Sequence, residues 1–133
     1  MKEFHLEVLT PDGLAYEGMV ESLLVHAIDG DVEFLAGHVD YITTLGIGRA
    51  RIRIAGKDKF ASVSGGFVTV TSGEVKLIAT TFEFAENIDI QRAHAAKEKA
   101  KESLASSKDN KSIEIARLKL QRAITRINVA GLK

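Results

Sequence analysis

The chain has 133 residues, 45% of them hydrophobic, with eighteen Lys and Arg balancing eighteen Asp and Glu. That length and apolar content suit one folded domain, or one domain with an appendage, and exclude a disordered chain. Zero net charge and no cysteine exclude a global field steering toward nucleic acid, and with it a disulfide framework, a thiolate nucleophile or a thiolate zinc site.

The opening MKEFHLEVLT is charged and alternating, so it does not read as a secretion signal. The longest apolar runs fall well short of a membrane span of about 20 residues. Phe4, Leu6 and Val8 fall on one side of EFHLEVL, which predicts a strand followed by a turn at Pro11-Asp12-Gly13. Further turn signals stand at Asp29-Gly30-Asp31, Gly37, Gly46-Ile47-Gly48, Ala55-Gly56, Gly65-Gly66 and Ser72-Gly73. Between them lie VESLLVHA, VEFLA, YITTL, RARIRI, FASVS, FVTVT and EVKLIAT. No helical pattern intervenes, so the expectation is a β-sandwich of about ten short strands.

After Phe84 the period changes, and glycine is absent from 74 to 130. Two helices are expected, Ile88 to Leu104 and Ser112 to Ala130, joined by ASSKDNK as an antiparallel hairpin. The fold class is therefore β + α: a β-sandwich at 1–84 followed by a two-helix hairpin at 85–133. Ala93, Ala96 and Ala100, closed by Leu104, form a small-residue face that allows close approach to the second helix. The second helix carries two stripes. One is Ile113, Ala116, Leu120, Ala123, Ile124 and Ile127; the other, on the opposite side, is Ile115, Leu118, Arg122, Arg126 and Val129. Two stripes call for two partners.

Catalytic and metal constellations are missing. His5, His26, His38 and His94 have no metal-ligand spacing, and there is no G-x-S-x-G elbow. GIGRA at 46–50 lacks a third glycine and a following helix, and no P-loop exists. An enzyme in its own right is not expected.

Two basic clusters stand out. Arg49, Arg51 and Arg53 alternate in RARIRI and read most simply as a solvated strand face with edge protection. Arg92, Lys99, Arg122 and Arg126 lie on two helices and meet only if the hairpin folds. Arg92 is especially odd, because it stands in the first turn behind the cap Asp89, where the helix dipole disfavours a cation. Converging cations without intervening acids repel one another unless an anion sits among them. The alternative is that Arg92 pairs with Glu86 or Asp89, and Arg122 and Arg126 with acids of another chain.

LEVLTPDGLAYEG, DGDVEFLAGH, SGGFVTV at 64–70 and the hairpin opening IDIQRA occur here in one order. In that combination the chain resembles, over essentially its whole length, the epsilon subunits of bacterial F-type ATP synthases. The resemblance implies a ten-stranded sandwich that binds the gamma subunit and the c-ring within the rotating central stalk, at the cytoplasmic face of the membrane. It implies a hairpin that folds onto the sandwich or extends toward the alpha and beta catalytic subunits and inhibits ATP hydrolysis. ATP, with or without Mg2+, is then a regulatory ligand of the folded hairpin. The family motif I/L-D-x-x-R-A is complete as Ile88, Asp89, Arg92 and Ala93; Arg122, Arg126 and Glu83 also match. Lys99 stands where strong binders carry Arg, a point charge in place of a planar fork. Contact with the c-ring is carried to Asp31, Glu33 and His38 in an acidic loop, with Ala36 replacing the usual Pro and Glu33 the usual second Gly. A purely structural coupling subunit that binds no nucleotide is the alternative.

Overall fold

The computed structural model describes residues 2–132; Met1 and Lys133, the outer ends of the two expected domains, lie outside the described residues. Eight strands come first: β1 (Phe4–Thr10), β2 (Gly13–Val20), β3 (Ser22–Ala27), β4 (Gly30–Leu35), β5 (Tyr41–Thr44), β6 (Gly48–Ile54), β7 (Lys57–Thr71) and β8 (Glu74–Phe84). A short 3-10 turn at Ala85–Asn87 leads to α1 (Ile90–Ser106) and α2 (Asn110–Ala130).

The strands run in the order β2-β1-β8-β7-β6-β3-β4, with β5 also paired to β7. β1 lies parallel to β8, in register at Leu6 and Val75, and the remaining pairings are antiparallel. The sheet doubles over because β7 serves different neighbours along its length. Its residues 57–63 pair with β6, whereas 67–70 pair with β5. Between these halves sit Gly65 and Gly66, both at positive φ, and a Cβ on Gly66 would lie 1.9 Å from the Ile78 carbonyl oxygen. Only glycine fits that bend. At the start of β3 the β3–β6 pairing is extended where the Glu21 amide donates to the Arg53 carbonyl at 2.8 Å and the Gly56 amide to Glu21 Oε1 at 2.7 Å.

The expected ten strands are eight. FASVS and FVTVT are two halves of β7, because Gly65-Gly66 bends the strand without ending it. Conversely GLAYEGMV, whose alternation is interrupted by Gly18, forms β2. The alternating inward residues of both layers, among them Leu6, Leu23, Phe34, Ile52, Val68 and Leu77, are essentially inaccessible to water and form one core.

RARIRI forms β6, which lies between β3 and β7, so the reading of edge protection is wrong. Two of its three arginines satisfy cross-strand acids. Arg51, Leu24 and Glu33 are aligned across three strands, and Arg51 reaches over Leu24 to pair with Glu33. Arg53 pairs with its register partner Asp58 at 3.0 Å.

Both helices extend into the connector, leaving residues 107–109 between them. Asp109 explains the early start of α2, since its carboxylate accepts the Ser112 amide at 3.0 Å. At the end of α1, Ser106 and Ser107 hydroxyls donate back to the Ser103 carbonyl at 3.3 and 2.5 Å, extending the last turn. Ala93 and Ala100 of α1, and Ala116 and Ala123 of α2, are buried in the seam where the two helices pack. The second stripe of α2 meets the sandwich only at its end. Val129 and Ala130 pack with Ala85 and Ile88, and Phe60 of β7 lies against that group.

Candidate functional site

The groove between the helices holds the cations that the sequence singles out. At its lower end, Glu83 of β8, Ile88, Asp89, Arg92, Ala93 and Ala96 of the α1 approach, and Arg126 of α2 line a cleft of about 270 Å3. Next along the hairpin, Ala96, Lys99, Ala100 and Ser103 of α1 face Lys119, Arg122, Ala123 and Arg126 of α2 around a second cleft of about 280 Å3. Ala96 and Arg126 belong to both, so the clefts adjoin. The alanines are what make room: a bulky side chain at those positions would fill the groove floor.

All eight expected ligand residues therefore lie on one groove, but not at one point. Arg92 lines the first cleft and Arg122 the second, with Arg126 between them. Asp89 caps α1 by accepting the Arg92 amide at 3.1 Å, so it binds the backbone of Arg92 and leaves the guanidinium free of it. Glu86 pairs instead with Lys59 at 3.4 Å. Arg126 finds its acid within its own chain, since Nε lies 3.2 Å from Glu83 Oε1. The alternative pairing of Arg92 with Glu86 or Asp89 thus does not occur. Among the described residues, Arg92, Lys99, Lys119 and Arg122 have no ion-pair partner.

The groove divides chemically as well. Its first cleft offers two carboxylates, Glu83 and Asp89, beside two arginines. Its second has four basic side chains, one hydroxyl and no carboxylate. Ile88 is 7% exposed and serves chiefly as an apolar anchor of the hairpin. Lys119 and Ser103 went unnoticed in the sequence. Lys119 stands three before Arg122 on the same side of α2, and Ser103 four after Lys99, a periodicity that marks both.

Asp31 and Glu33 lie on β4, so they belong to a strand and not to the acidic loop expected. Both point outward opposite buried Phe34, and both are matched within the chain. Asp31 pairs with its register partner His26 at 2.9 Å, and Glu33 with Arg51. His38 follows the strand, with Nδ1 2.7 Å from the Val39 carbonyl oxygen and its ring edge-on to Phe34 and Tyr41. Around these polar groups the surface is apolar: Leu35, Val39 and Ile42 are all substantially exposed, and Ile28 at the β3–β4 turn is 66% exposed. Among the described residues, no group of three acids or histidines could hold a metal ion, and no helix is long and apolar enough to cross a membrane.

Comparison with known proteins covers both parts of the chain. The family model for the β-sandwich domain of the ATP synthase delta/epsilon chain matches residues 3–85, and that for its long α-helix domain matches residues 86–131. An ATP synthase epsilon chain from Bacillus velezensis is 40% identical over 98% of this chain and 99% of its own length. One from Caldicellulosiruptor saccharolyticus is 39% identical over 97% of this chain and 94% of its own. Among solved structures, a chain of the Euglena gracilis mitochondrial ATP synthase superposes with a TM-score of 0.81 at 22% identity, covering 98% of this chain and 82% of that one. A chain of the Tetrahymena thermophila enzyme superposes with a TM-score of 0.68 at 11% identity, covering 97% of both. Sandwich, hairpin and their order along the chain are thus those of the relatives, and this chain belongs to the delta/epsilon chain family of the ATP synthases.

Proposed function

We propose that this chain is a non-catalytic rotor and regulatory subunit of an F-type ATP synthase, whose folded hairpin binds ATP and thereby withholds an inhibitory extended form. The observation that carries the reading is the groove: it exists only when α1 and α2 lie side by side, and it gathers Arg92, Lys99 and Arg122, none of them ion-paired among the described residues, with carboxylates at one end only. Mutual repulsion makes that arrangement costly until an anion enters it, so ligand binding and hairpin closure are linked. ATP at a hundredfold excess over Kd adds about 2.7 kcal/mol to the closed state. As ATP falls, the hairpin is released toward the alpha and beta subunits and hydrolysis is inhibited.

Arg92, Arg122, Arg126 and Lys99 serve the phosphates, while Glu83, Ile88, Asp89 and Ala93 surround the base and ribose. The carboxylates do not form a cage for Mg2+, because Glu83 is paired with Arg126 and Asp89 is occupied in capping α1. An ion arriving with the nucleotide would be held by phosphate oxygens and water. On the sandwich, Asp31, Glu33 and His38 with the surrounding apolar residues form the surface for the c-ring, and the gamma subunit is the partner in the central stalk. The structural neighbours come from an F1/c-ring assembly and a central stalk/c-ring assembly, which supports this placement. The subunit then works peripherally at the cytoplasmic face of the membrane, coupling proton translocation to the catalytic sector.

One observation favours the ligand-free alternative: Arg126 is already paired with Glu83. Titration calorimetry with ATP on the full chain decides between them. Heat of binding is expected for the wild type, with Arg92→Ala and Arg126→Ala each weakening it about tenfold or more, the value of a charge-assisted phosphate contact. No heat would leave the purely structural subunit as the correct reading, whereas unchanged binding in both variants would mean that ATP binds outside the assigned residues.

A further inference from the structure

The groove extends beyond the residues assigned above. Along α2, Arg126, Arg122 and Lys119 step back by four and then three residues, forming one stripe. Across from them on α1 stand Lys99 and Ser103. Because the helices are antiparallel, passing from the first cleft to the second means moving toward the end of α1 and the beginning of α2. Lys119 marks the far end, about 10 Å of helix axis from Arg126 at 1.5 Å per residue. The carboxylates of Glu83 and Asp89 are confined to the opposite end.

We propose that Lys119, with Ser103, is a further ligand contact and that the second cleft seats the outermost phosphate of a polyphosphate chain; this rests on the reading that the folded hairpin takes a nucleoside triphosphate. The polarity of the groove gives the ligand one orientation. Hydrogen-bond donors of a base suit the carboxylate end, and negative charge is drawn away from that end. A chain gripped at Arg126 meets Arg122 next and Lys119 last. Each phosphate added moves charge away from Glu83 and toward a cation that no acid of the described chain neutralises. Alanines beneath leave room for it, and the Ser103 hydroxyl supplies a neutral donor. An ordinary solvated lysine accounts for Lys119 on exposure alone, but not for its place at the end of a carboxylate-free cleft.

The test compares ATP, ADP and inorganic tripolyphosphate by calorimetry at one ionic strength, using the full chain as wild type, Lys119→Gln and Ser103→Ala. Lys119→Gln is expected to weaken ATP and tripolyphosphate about tenfold or more, and ADP less than about threefold through screened longer-range charge alone. Ser103→Ala should act in the same direction and more weakly. Melting and helical circular dichroism of both variants should match the wild type, because both side chains are exposed. Equal losses for ATP and ADP, or no loss for ATP while the wild type binds it, overturn the outer-phosphate contact and leave the nucleotide reading intact. Binding of tripolyphosphate without ATP overturns the nucleotide reading and leaves the outer contact. Failure of the wild type to bind either ligand overturns both.

Discussion

Single residues divide here into those that hold the hairpin and those that stand in its groove without an ion-pair partner. Asp89 and Asp109 do the same work at the start of their helices, each accepting an amide three residues on. Hydrogen bonds from Ser112, first its side chain and then its backbone, hold the Asp109 carboxyl below its ordinary value. Because the folded state binds that proton more weakly than the unfolded state, Asp109 adds stability above its unfolded pKa. That contribution is lost as pH falls through the lower folded value. Acid titration followed by carboxyl NMR should therefore find Asp109 titrating below the ordinary value of an aspartate, with faster amide exchange in the first turn of α2 as it protonates. Asp109→Asn, which keeps an acceptor, should remove the pH dependence of that turn while preserving most of its helicity. Arg92 is the reverse case: its guanidinium stands in the first turn of α1 without an ion-pair partner, a small cost to the helix that a bound anion would offset.

Elements are joined through small contacts. α1 and α2 meet along alanines, a seam that brings their axes close while burying little area per residue. The hairpin meets the sandwich where Phe60 of β7 lies against the group formed by Val129, Ala130, Ala85 and Ile88, and through the Glu83–Arg126 pair. Both members of that pair are about one-third exposed, which limits it to roughly 0–1 kcal/mol. The apolar anchor therefore dominates. Val129 is 1% exposed, and Val129→Asp places an unpaired carboxylate in that contact at a cost of about 3 kcal/mol or more. Hydrogen exchange should show loss of protection across α1 and α2, with β7 and β8 unaffected. Equal loss of protection in the strands would mean that hairpin and sandwich form one cooperative unit.

At the scale of the whole molecule, zero net charge conceals an uneven distribution. On the sandwich several acids and bases are paired across strands, as in Arg51–Glu33, Arg53–Asp58 and His26–Asp31. In the hairpin groove, basic side chains converge with acids at one end only. Salt should therefore act on the two parts differently. Raising chloride from about 20 to about 200 mM shortens the screening length from roughly 20 Å to roughly 7 Å. This should raise protection of the ligand-free helices by a few tenths of a kcal/mol, leave the sandwich core unchanged, and weaken anion binding. Exchange measured at both salt concentrations, with and without tripolyphosphate, checks all three signs.

Alternation in EFHLEVL and RARIRI, the change of period after Phe84, and the Asp89 cap were legible because each depends on neighbours within one strand or one helical turn. Those local rules were enough for a sandwich followed by a hairpin, and the order of motifs was enough for the family. They could not show that Gly65-Gly66 bends a strand instead of ending it, because the reason is the Ile78 carbonyl on the facing strand. Nor could they show that β6 lies inside the sheet, or that Asp31 and Glu33 are already paired, since both follow from cross-strand register. The groove is the clearest case. Sequence periodicity placed each cation on its helix, but only the packing of α1 against α2 decided that Arg92 and Arg122 occupy separate clefts, that Arg126 turns to Glu83, and that Lys119 stands at the far end. Charge acts through space, and distances between residues remote in sequence are fixed by tertiary contacts.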